Sequence, residues 1–219
     1  MSTRKTNAKE IDVEDTGTRR ANEKLRSIEK GNRRVELINP GSSHFLAAGL
    51  QKNLELVVRG STGYYLGTCM DGPEIRVKGN AGWFPGDNLT SGSIFIEGSA
   101  GDGAGQGLYG GKVVITGNCG SRTGQLMKNG TVIVGGDSGF MTGLYAFGGR
   151  IIVLGDAGAN AGESILGAAL YVGGEVPSLG QDATMKKVDG RELGEINGEI
   201  EKYGFDPVGS FKKIVPAES

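Results

Sequence analysis

Residues 79–98 read GNAGWFPGDNLTSGSIFIEG, and this stretch contains one complete unit of a 19-residue repeat. Glycine returns at this spacing in three long series and one partial series, and the four series stay in step along the chain. A fixed period of this length indicates a stacked repeat architecture, so a short glycine motif must first be considered as part of the repeat. The first series comprises Gly60, Gly79, Gly98, Gly117, Gly136, Gly155 and Gly174, and the others begin at Gly63, Gly67 and Gly92.

Apolar side chains occupy fixed positions within the repeat. The columns that include Ile75 and Val77 are almost entirely β-branched, which predicts one short strand per unit with an inward face. A second apolar column begins at Met70 and predicts another inward wall, whereas the column of Cys119 contains small residues suited to a corner. One strand cannot bury a face alone, but stacked units form a continuous core. The predicted fold is therefore all-β, a single-stranded parallel β-helix of about seven coils with a C-terminal helix.

The glycine content argues against two other repeat folds. A propeller blade needs about 40 residues, and the helical return of a leucine-rich repeat is incompatible with glycine at several places in each unit. We expect the glycines to allow corners with positive φ. Polar residues follow the first glycine of each unit, where they are expected to bond local backbone and to form stacked ladders. These residues are Ser61, Asn80, Ser99, Asn118, Asp137 and Asp156.

The sequence divides into three parts. Residues 1–35 are rich in charge and are predicted to be a polar extension that is mobile or ordered by a partner. Residues 36–176 contain the repeat, and residues 177–219 contain a C-terminal helix and tail. Asp189 and Glu192 resemble a capping box, and we expect the helix after them to cap or flank the open end of the stack. The apolar residues at helical spacing are Leu193, Ile196, Ile200 and Tyr203.

Composition limits the classes of partner and the location of the protein. The formal net charge of the 219-residue chain is −1, which argues against binding to nucleic acid or to an anionic membrane. The start of the sequence is polar and no apolar run approaches the length of a membrane span, so a cytoplasmic protein is expected. Cys69 and Cys119 lie in different columns, which argues against a disulfide and predicts a reduced, buried thiol at Cys119.

Two strings resemble catalytic or cofactor motifs, but both are parts of the repeat. Residues 136–139 read GDSG, as around a serine nucleophile, yet GNCG at 117–120 occupies the same phase. Residues 105–110 satisfy G-x-G-x-x-G, but a strand instead of the required helix is predicted to follow. His44 is the single histidine, so a triad or a zinc site lacks partners, and we expect it to hold the entry segment onto the first coil. We predict no catalytic residue, no cofactor and no metal.

The strand column between the two inward columns faces outward and is unusually apolar. Outward positions of a solvated sheet are usually polar, but six of the seven residues from Val57 to Tyr171 are apolar or aromatic. A ladder of this size needs a cover, which either the tails of the chain or another protein can provide. Aromatic residues also gather at the corner of the first two coils, where they suit an interface. The residues predicted to contact a partner are Phe95, Val114, Ile133, Ile152, Tyr171, Trp83 and Phe84.

The pattern G-x-x-G-x-x-x-G, as at residues 79–86, resembles the GXGXG domain of glutamate synthase. The units at 70–82 and 153–158 are especially similar, and the resemblance covers roughly residues 36–176. In that family the domain is a right-handed β-helix at the C-terminal end of the large subunit and has no catalytic residues. The resemblance implies that it packs between a glutaminase domain, which releases ammonia, and a flavin-containing synthase domain.

The resemblance implies a part in a larger complex. We expect a separately encoded, non-catalytic structural subunit of a glutamate-synthase-like amidotransferase, whose partners are a glutaminase-type subunit and an FMN and iron–sulfur synthase-type subunit. The third subunit of formylmethanofuran dehydrogenase shares this fold and is the main alternative, although residues 39–44 favour the glutamate synthase branch. A homo-oligomer and an independent hydrolase that uses Ser138 are also left open.

Overall fold

All strands that the structure describes, in residues 8–29 and 33–218 of a computed structural model, belong to one sheet. The strands are β1 (Lys9–Asp12), β2 (Arg34–Ile38), β3 (Glu55–Arg59), β4 (Asp71–Val77), β5 (Ser91–Ile96), β6 (Lys112–Ile115), β7 (Thr131–Val134), β8 (Arg150–Val153), β9 (Ala169–Val172), β10 (Ala183–Lys187) and β11 (Lys212–Pro216). The helices are α1 (Val13–Thr16), α2 (Thr18–Ser27), α3 (Gly190–Ile200) and a short 3₁₀ helix (Glu201–Tyr203).

Strands β1 to β9 pair in parallel, each with the next, as a β-helix requires. Glu74 pairs with Ser93, and the coils from β3 to β9 advance by the same 19 residues, apart from an irregularity at the start of β4, where Asp71 pairs with Ser91. The coil between β2 and β3 is two residues longer, because Arg34 pairs with Glu55. The predicted parallel β-helix of about seven coils is therefore confirmed.

A single apolar core runs through the stack. The two strand columns of Ile75 and Val77, and the second wall that begins at Met70, are at most 2% exposed throughout the repeat. The small corner column is also buried, and burial raises the pKa of the Cys119 thiol to about 11. Both cysteines are free, with Cys119 buried as predicted and Cys69 exposed.

The glycine series have two different physical roles. Gly86 has a φ of 74°, and a Cβ there would lie 2.6 Å from Cγ2 of Val113. Gly79 does not have positive φ, but a Cβ there would lie 2.8 Å from the backbone nitrogen of Ser61 in the preceding coil. The expectation of positive φ is correct for the series of Gly86 and wrong for the first series after Gly60. That first series needs glycine because the coils approach each other closely.

The predicted polar ladder is confirmed, but its bonds run between coils. The backbone N–H of Asn80 donates to Oγ of Ser61 at 3.0 Å, and the N–H of Ser99 donates to Oδ1 of Asn80 at 2.8 Å. The pattern continues to Glu175, whose N–H donates to Oδ1 of Asp156 at 2.6 Å. The expectation that these side chains bond local backbone is wrong, because each one joins its coil to the next.

The N-terminal segment closes one end of the stack. β1 pairs with β2, and α2 buries Ala21 and Leu25 against the core. The prediction of a mobile extension is therefore wrong for residues 8–29, which are an integral part of the fold. Residues 1–7 and 30–32 of the predicted extension lie outside the described residues.

A buried asparagine completes this closure. The side-chain amide of Asn22 donates to the carbonyl of Phe45 and accepts from the N–H of Ala47, in both cases at 2.8 Å. One coil later, the N–H of Gly67 donates to the carbonyl of Leu46. The Asn22 oxygen therefore takes the place of the carbonyl that a preceding coil would offer to Ala47, while the NH2 group adds a bond to Phe45. Buried backbone groups need such partners, so one side chain replaces part of a missing coil.

The C-terminal segment closes the other end. β11 pairs antiparallel with both β9 and β10, and Ile214 completes the core. The edge strand β10 ends in Lys186 and Lys187, which suit a free edge because charge opposes pairing with another strand.

The predicted N-cap of α3 is confirmed, since the carboxylate of Asp189 accepts the N–H of Glu192 at 2.8 Å. The Glu192 carboxylate accepts from Tyr171 and Lys213 instead of making the reciprocal bond of a capping box. The expectation that this helix caps or flanks the open end is wrong, because β10 and β11 close that end and α3 packs on the outward face of the sheet.

Candidate interaction surfaces

The outward face of β6 to β9 is covered by the chain itself. Ile196 and Ile200 of α3, together with Phe211, form one apolar cluster with the outward residues of these strands. The structure therefore corrects the prediction of a partner contact at these positions, because the chain's own helix occupies the surface. This covered half comprises Val114, Ile133, Ile152 and Tyr171, which are at most 4% exposed.

Polar contacts fasten the C-terminal segment to the covered half. The hydroxyl of Tyr171 donates to Oε1 of Glu192 at 2.7 Å, and the ammonium of Lys213 pairs with the same carboxylate at 2.6 Å. Burial and the nearby Glu192 raise the pKa of the Tyr171 phenol, whereas Lys213 lowers the pKa of Glu192. These contacts fix the start of α3 against β9.

The end of α3 is fastened by a largely buried carboxylate. The side chain of Glu199 is 9% exposed and pairs with Lys112 of β6 and, at 2.9 Å, with Lys202. Burial acts to raise the pKa of Glu199, but the two ammonium groups hold this pKa below its ordinary value. Glu199 is therefore ionised at neutral pH and ties the helix to the sheet.

The outward face of β2 to β5 remains open and is charged. Arg59 forms two hydrogen bonds of 2.9 Å with the Glu36 carboxylate, and the Arg76 guanidinium lies 4.3 Å from the centroid of the Phe95 ring. A groove of about 390 Å³ lies between this face and Tyr203 at the end of the 3₁₀ helix. The Phe95 ring is half-buried, with its centroid 6.3 Å from that of Tyr203. The outward column of this open half comprises Glu36, Val57, Arg76 and Phe95, of which Val57 is only 9% exposed between its neighbours.

Six rings stack in two adjacent columns at one corner of the first three coils, which we call the aromatic corner. Ring centroids are 4.5 and 4.8 Å apart in the first column and 5.0 Å apart in the second. Trp83 is 49% exposed and Phe84 is half-buried, so α3 does not cover these two predicted contact residues, and their role stays a prediction. The columns are His44–Tyr64–Trp83 and Phe45–Tyr65–Phe84.

The sequence indicated only two of the three layers of the aromatic corner. His44 and Phe45 stack on Tyr64 and Tyr65, but they precede them by 20 residues. The longer coil between β2 and β3 shifts this layer out of the 19-residue columns. A search that allowed one insertion in the first coil would have found the two additional rings.

The role predicted for His44 is confirmed. Its Nδ1 accepts the backbone N–H of Tyr64 at 2.8 Å, and its ring stacks on the Tyr64 ring. The imidazole fills the space that a Cβ at Gly63 would need. His44 therefore holds the entry segment onto the first regular coil.

A second exposed apolar surface lies on the wall opposite the sheet, and we call it the return patch. Its members flank the buried column of Met127 and Ala146, and they are between 40% and 57% exposed. Lys128 lies within the patch, with its ammonium 4.6 Å from the centroid of the Tyr109 ring. The repeat pattern predicted only the inward column of that wall, and the exposed positions on either side of it give no apolar signal that recurs in every coil. The return patch comprises Tyr109, Leu126, Tyr145, Phe147 and Leu166.

The two segments that resemble catalytic or cofactor motifs, residues 136–139 and 105–110, do not form an active site or a dinucleotide-binding site. Ser138 is 5% exposed and accepts a hydrogen bond from the Thr142 hydroxyl at 2.9 Å. His44 lies five coils away, or roughly 24 Å at the spacing of neighbouring strands. The segment 105–110 runs directly into β6. Within residues 8–29 and 33–218, no three His, Cys, Asp or Glu side chains form a group suited to a metal ion.

These features define the class of the protein: a parallel β-helix of glycine-rich coils whose two ends, and half of whose outward sheet face, are covered by its own flanking segments. The chain belongs to the GXGXG motif family, because the family model matches residues 20–203, which include most of α2 and all of α3. Domains of this type are associated with glutamate synthase, an oxidoreductase. A comparison with curated proteins finds no match.

None of the helices in the described ranges combines the length and the apolar content that crossing a bilayer requires.

Proposed function

We propose that this chain is a non-catalytic scaffold subunit of a glutamate-synthase-like amidotransferase and that it packs between a glutaminase-type and a flavin-dependent synthase-type subunit. Membership of the GXGXG family is the observation that carries the proposal. A stack of paired coils is rigid, because each coil is bonded to both neighbours along its backbone and its polar ladder. Rigidity suits a part that keeps two reaction centres at a fixed separation.

The exposed apolar surfaces support contact with two partners. The five members of the return patch are about half exposed. Because a large aromatic side chain presents about 150–250 Å², the patch exposes roughly 400–500 Å² of apolar surface. A standard interface buries about 800 Å² on each partner, so the patch is large enough to form the core of one contact. The aromatic corner lies nearer the N-terminal end and offers a separate contact.

Affinity purification of a tagged chain from its native source tests the proposal. We expect a glutaminase-type subunit and a flavin and iron–sulfur subunit to co-purify, and glutamine-dependent glutamate formation to require the tagged chain. Variants Tyr145→Ser and Phe147→Ser should release at least one partner, whereas Phe140→Ser, at a similarly exposed aromatic residue outside the return patch, should not release that partner. Recovery of a molybdenum or tungsten enzyme, or of the chain alone, would contradict the proposal.

A further inference from the structure

The two ring columns of the aromatic corner end at a cleft. His44 and Phe45 each use one ring face for stacking, on Tyr64 and Tyr65 respectively. Phe45 is nevertheless 49% exposed, so its other face is open. On that side both rings line a cleft of about 640 Å³, together with residues of α2 and of the loop at 41–43.

No residue of the described chain continues either column. One coil before His44 and Phe45 the chain is α2, and its side chains are engaged elsewhere. Leu25 is buried in the core, Lys24 bonds the Thr16 hydroxyl at 3.2 Å, and Arg26 donates to the carbonyl of Ala48 at 2.6 Å. The columns therefore stop at two neighbouring ring faces with open space above them.

We propose that this cleft receives an aromatic side chain of a partner protein, whose ring stacks on His44 and Phe45 as the next layer of the aromatic corner. The spacing of 4.5–5.0 Å within the columns sets where that ring would lie. Stacked aromatic pairs have favourable energy beyond burial alone, and large aromatic residues in pockets dominate protein interfaces. That the partner is a subunit of the amidotransferase rests on the proposed function.

The charge and the shape of the cleft define the partner further. Arg19 is the one permanently charged residue among those that line the cleft, and its pairing with Glu23 is exposed, so it is free to exchange partners. An aromatic residue beside a carboxylate therefore fits better than one beside an ammonium group. The cleft is open along its length, whereas sites for small ligands enclose most of the ligand. A side chain anchored on a partner fits this shape.

The single histidine provides a direct measurement on the isolated chain. We expect N-acetyl-Glu-Trp-amide to move the His44 imidazole proton resonances upfield in a saturable NMR titration, because the added indole ring current acts on them. N-acetyl-Glu-Leu-amide should leave them in place, and N-acetyl-Lys-Trp-amide should bind more weakly. No saturable shift, or an equal shift with the leucine peptide, would overturn the proposal. Tighter binding of adenosine monophosphate than of the tryptophan peptide would also overturn it, in favour of a nucleotide.

Two variants separate the stacking contact from general damage to the fold. Phe45→Leu removes one ring and should lower the affinity for the tryptophan peptide by about 2- to 10-fold, which is the range for one aromatic pair. Phe140→Leu is the matched control, since Phe140 is similarly exposed several coils away, and it should leave binding unchanged. Arg19→Gln should reduce the preference for the acidic peptide without abolishing binding. Equal effects of the two Phe→Leu variants would contradict the assigned cleft.

The outcome is independent of the affinity purification. A positive titration together with a purification that yields no amidotransferase subunits would overturn the proposed function and leave the ring site in place. A negative titration together with a complete amidotransferase complex would overturn the ring site alone.

Discussion

One repeat produces two different surfaces on the same sheet. In the covered half the outward column is apolar, and α3 lies across it. In the open half the same column contains Glu36 and Arg76, whose charges are paired with side chains of neighbouring coils. The inward columns do not change between the halves. The repeat therefore determines the fold of each coil, whereas the polarity of the outward column determines whether that part of the sheet needs a covering helix.

The length of α3 matches the length of the apolar ladder. Eleven helical residues extend about 16 Å at 1.5 Å per residue, and four neighbouring strands span about 14 Å. The start of the helix contacts Tyr171 of β9 through Glu192, and its end contacts Lys112 of β6 through Glu199. The helix therefore runs along the stack and ends at β6, and the 3₁₀ helix after it brings Tyr203 to Phe95, the last apolar residue of the column before Arg76.

The largest difference in stability between the covered half and the open half should follow when a charged side chain is introduced into the outward column. Ile133→Lys places an ammonium under α3 in a site that is 0% exposed, and we expect a loss of more than about 4 kcal/mol or failure to fold. Phe95→Lys is the counterpart at the border of the open half, where the ammonium can reach solvent, and should cost about 1–2 kcal/mol. Urea unfolding measures both, and equal losses would contradict the division of the face.

Removing an apolar anchor of the helix should have the next largest effect. Ile200→Ala should reduce the free energy of unfolding by about 2–5 kcal/mol, because the side chain is fully buried between α3 and the sheet. Glu195→Ala, at an exposed site of the same helix, should change it by less than about 0.5 kcal/mol. Urea unfolding of both variants checks this, and a small effect of Ile200→Ala would indicate that α3 is not packed on the sheet.

Acid should weaken the covered half through Glu199. Its pKa in the folded chain lies below the ordinary value of 4.5, so its stabilisation is present above that value and is lost as the pH falls through the folded pKa. We expect Glu199→Gln to lower stability at neutral pH and to flatten the decrease in acid. Glu36→Gln, in the exposed pair with Arg59, should have a smaller effect of about 0–1 kcal/mol. Urea midpoints measured across the acidic range would contradict this if the two variants behaved alike.

The smallest expected change is a stabilisation. Gly194 lies on the exposed side of α3, its φ is not positive, and a Cβ there would meet no atom within 4 Å. Gly194→Ala should therefore raise stability by about 0.4–1 kcal/mol through helix propensity and a less flexible unfolded chain. Thermal unfolding measures the gain. The same substitution at Gly86 serves as a contrast, because its positive φ and close contact with Val113 predict a loss.

The sequence was sufficient to predict the strands and the coil period, but not the backbone conformation at the corners of each coil. Period and β-branched columns predicted the parallel β-helix, because the same side chain recurs wherever the same environment recurs. Positive φ at Phe84 and Tyr145 was not predictable, since nothing in these residue types favours that conformation. The strained backbone conformation is stabilised because each coil pairs with the coils above and below, which follow the same backbone course. Positive φ was predicted for the first glycine series, but these glycines are required by the close approach of neighbouring coils. Both requirements select glycine, so the sequence does not distinguish them.

The ends and the surfaces were harder to predict than the repeat. Asn22 closes the first coil through hydrogen bonds to Phe45 and Ala47, which lie more than 20 positions away in sequence. No periodic pattern marks such a residue. The outward ladder needs a cover, but the helical spacing after Asp189 does not show which surface the helix packs against, so the sequence does not distinguish the tails from a partner. The return patch was not predicted, because each of its exposed residues stands directly before or after a buried residue of the second wall, and only that buried column is apolar in every coil.

Hydrogen exchange of the isolated chain tests the central claim most directly. If α3 covers the outward ladder, the backbone amides of Ile200 and of the helical residues before it should be protected together with those of β6 to β9. Exchange of the α3 amides at the rate of an unstructured peptide, while β6 to β9 stay protected, would contradict the account. The residues Val114, Ile133, Ile152 and Tyr171 would then be open to a partner after all.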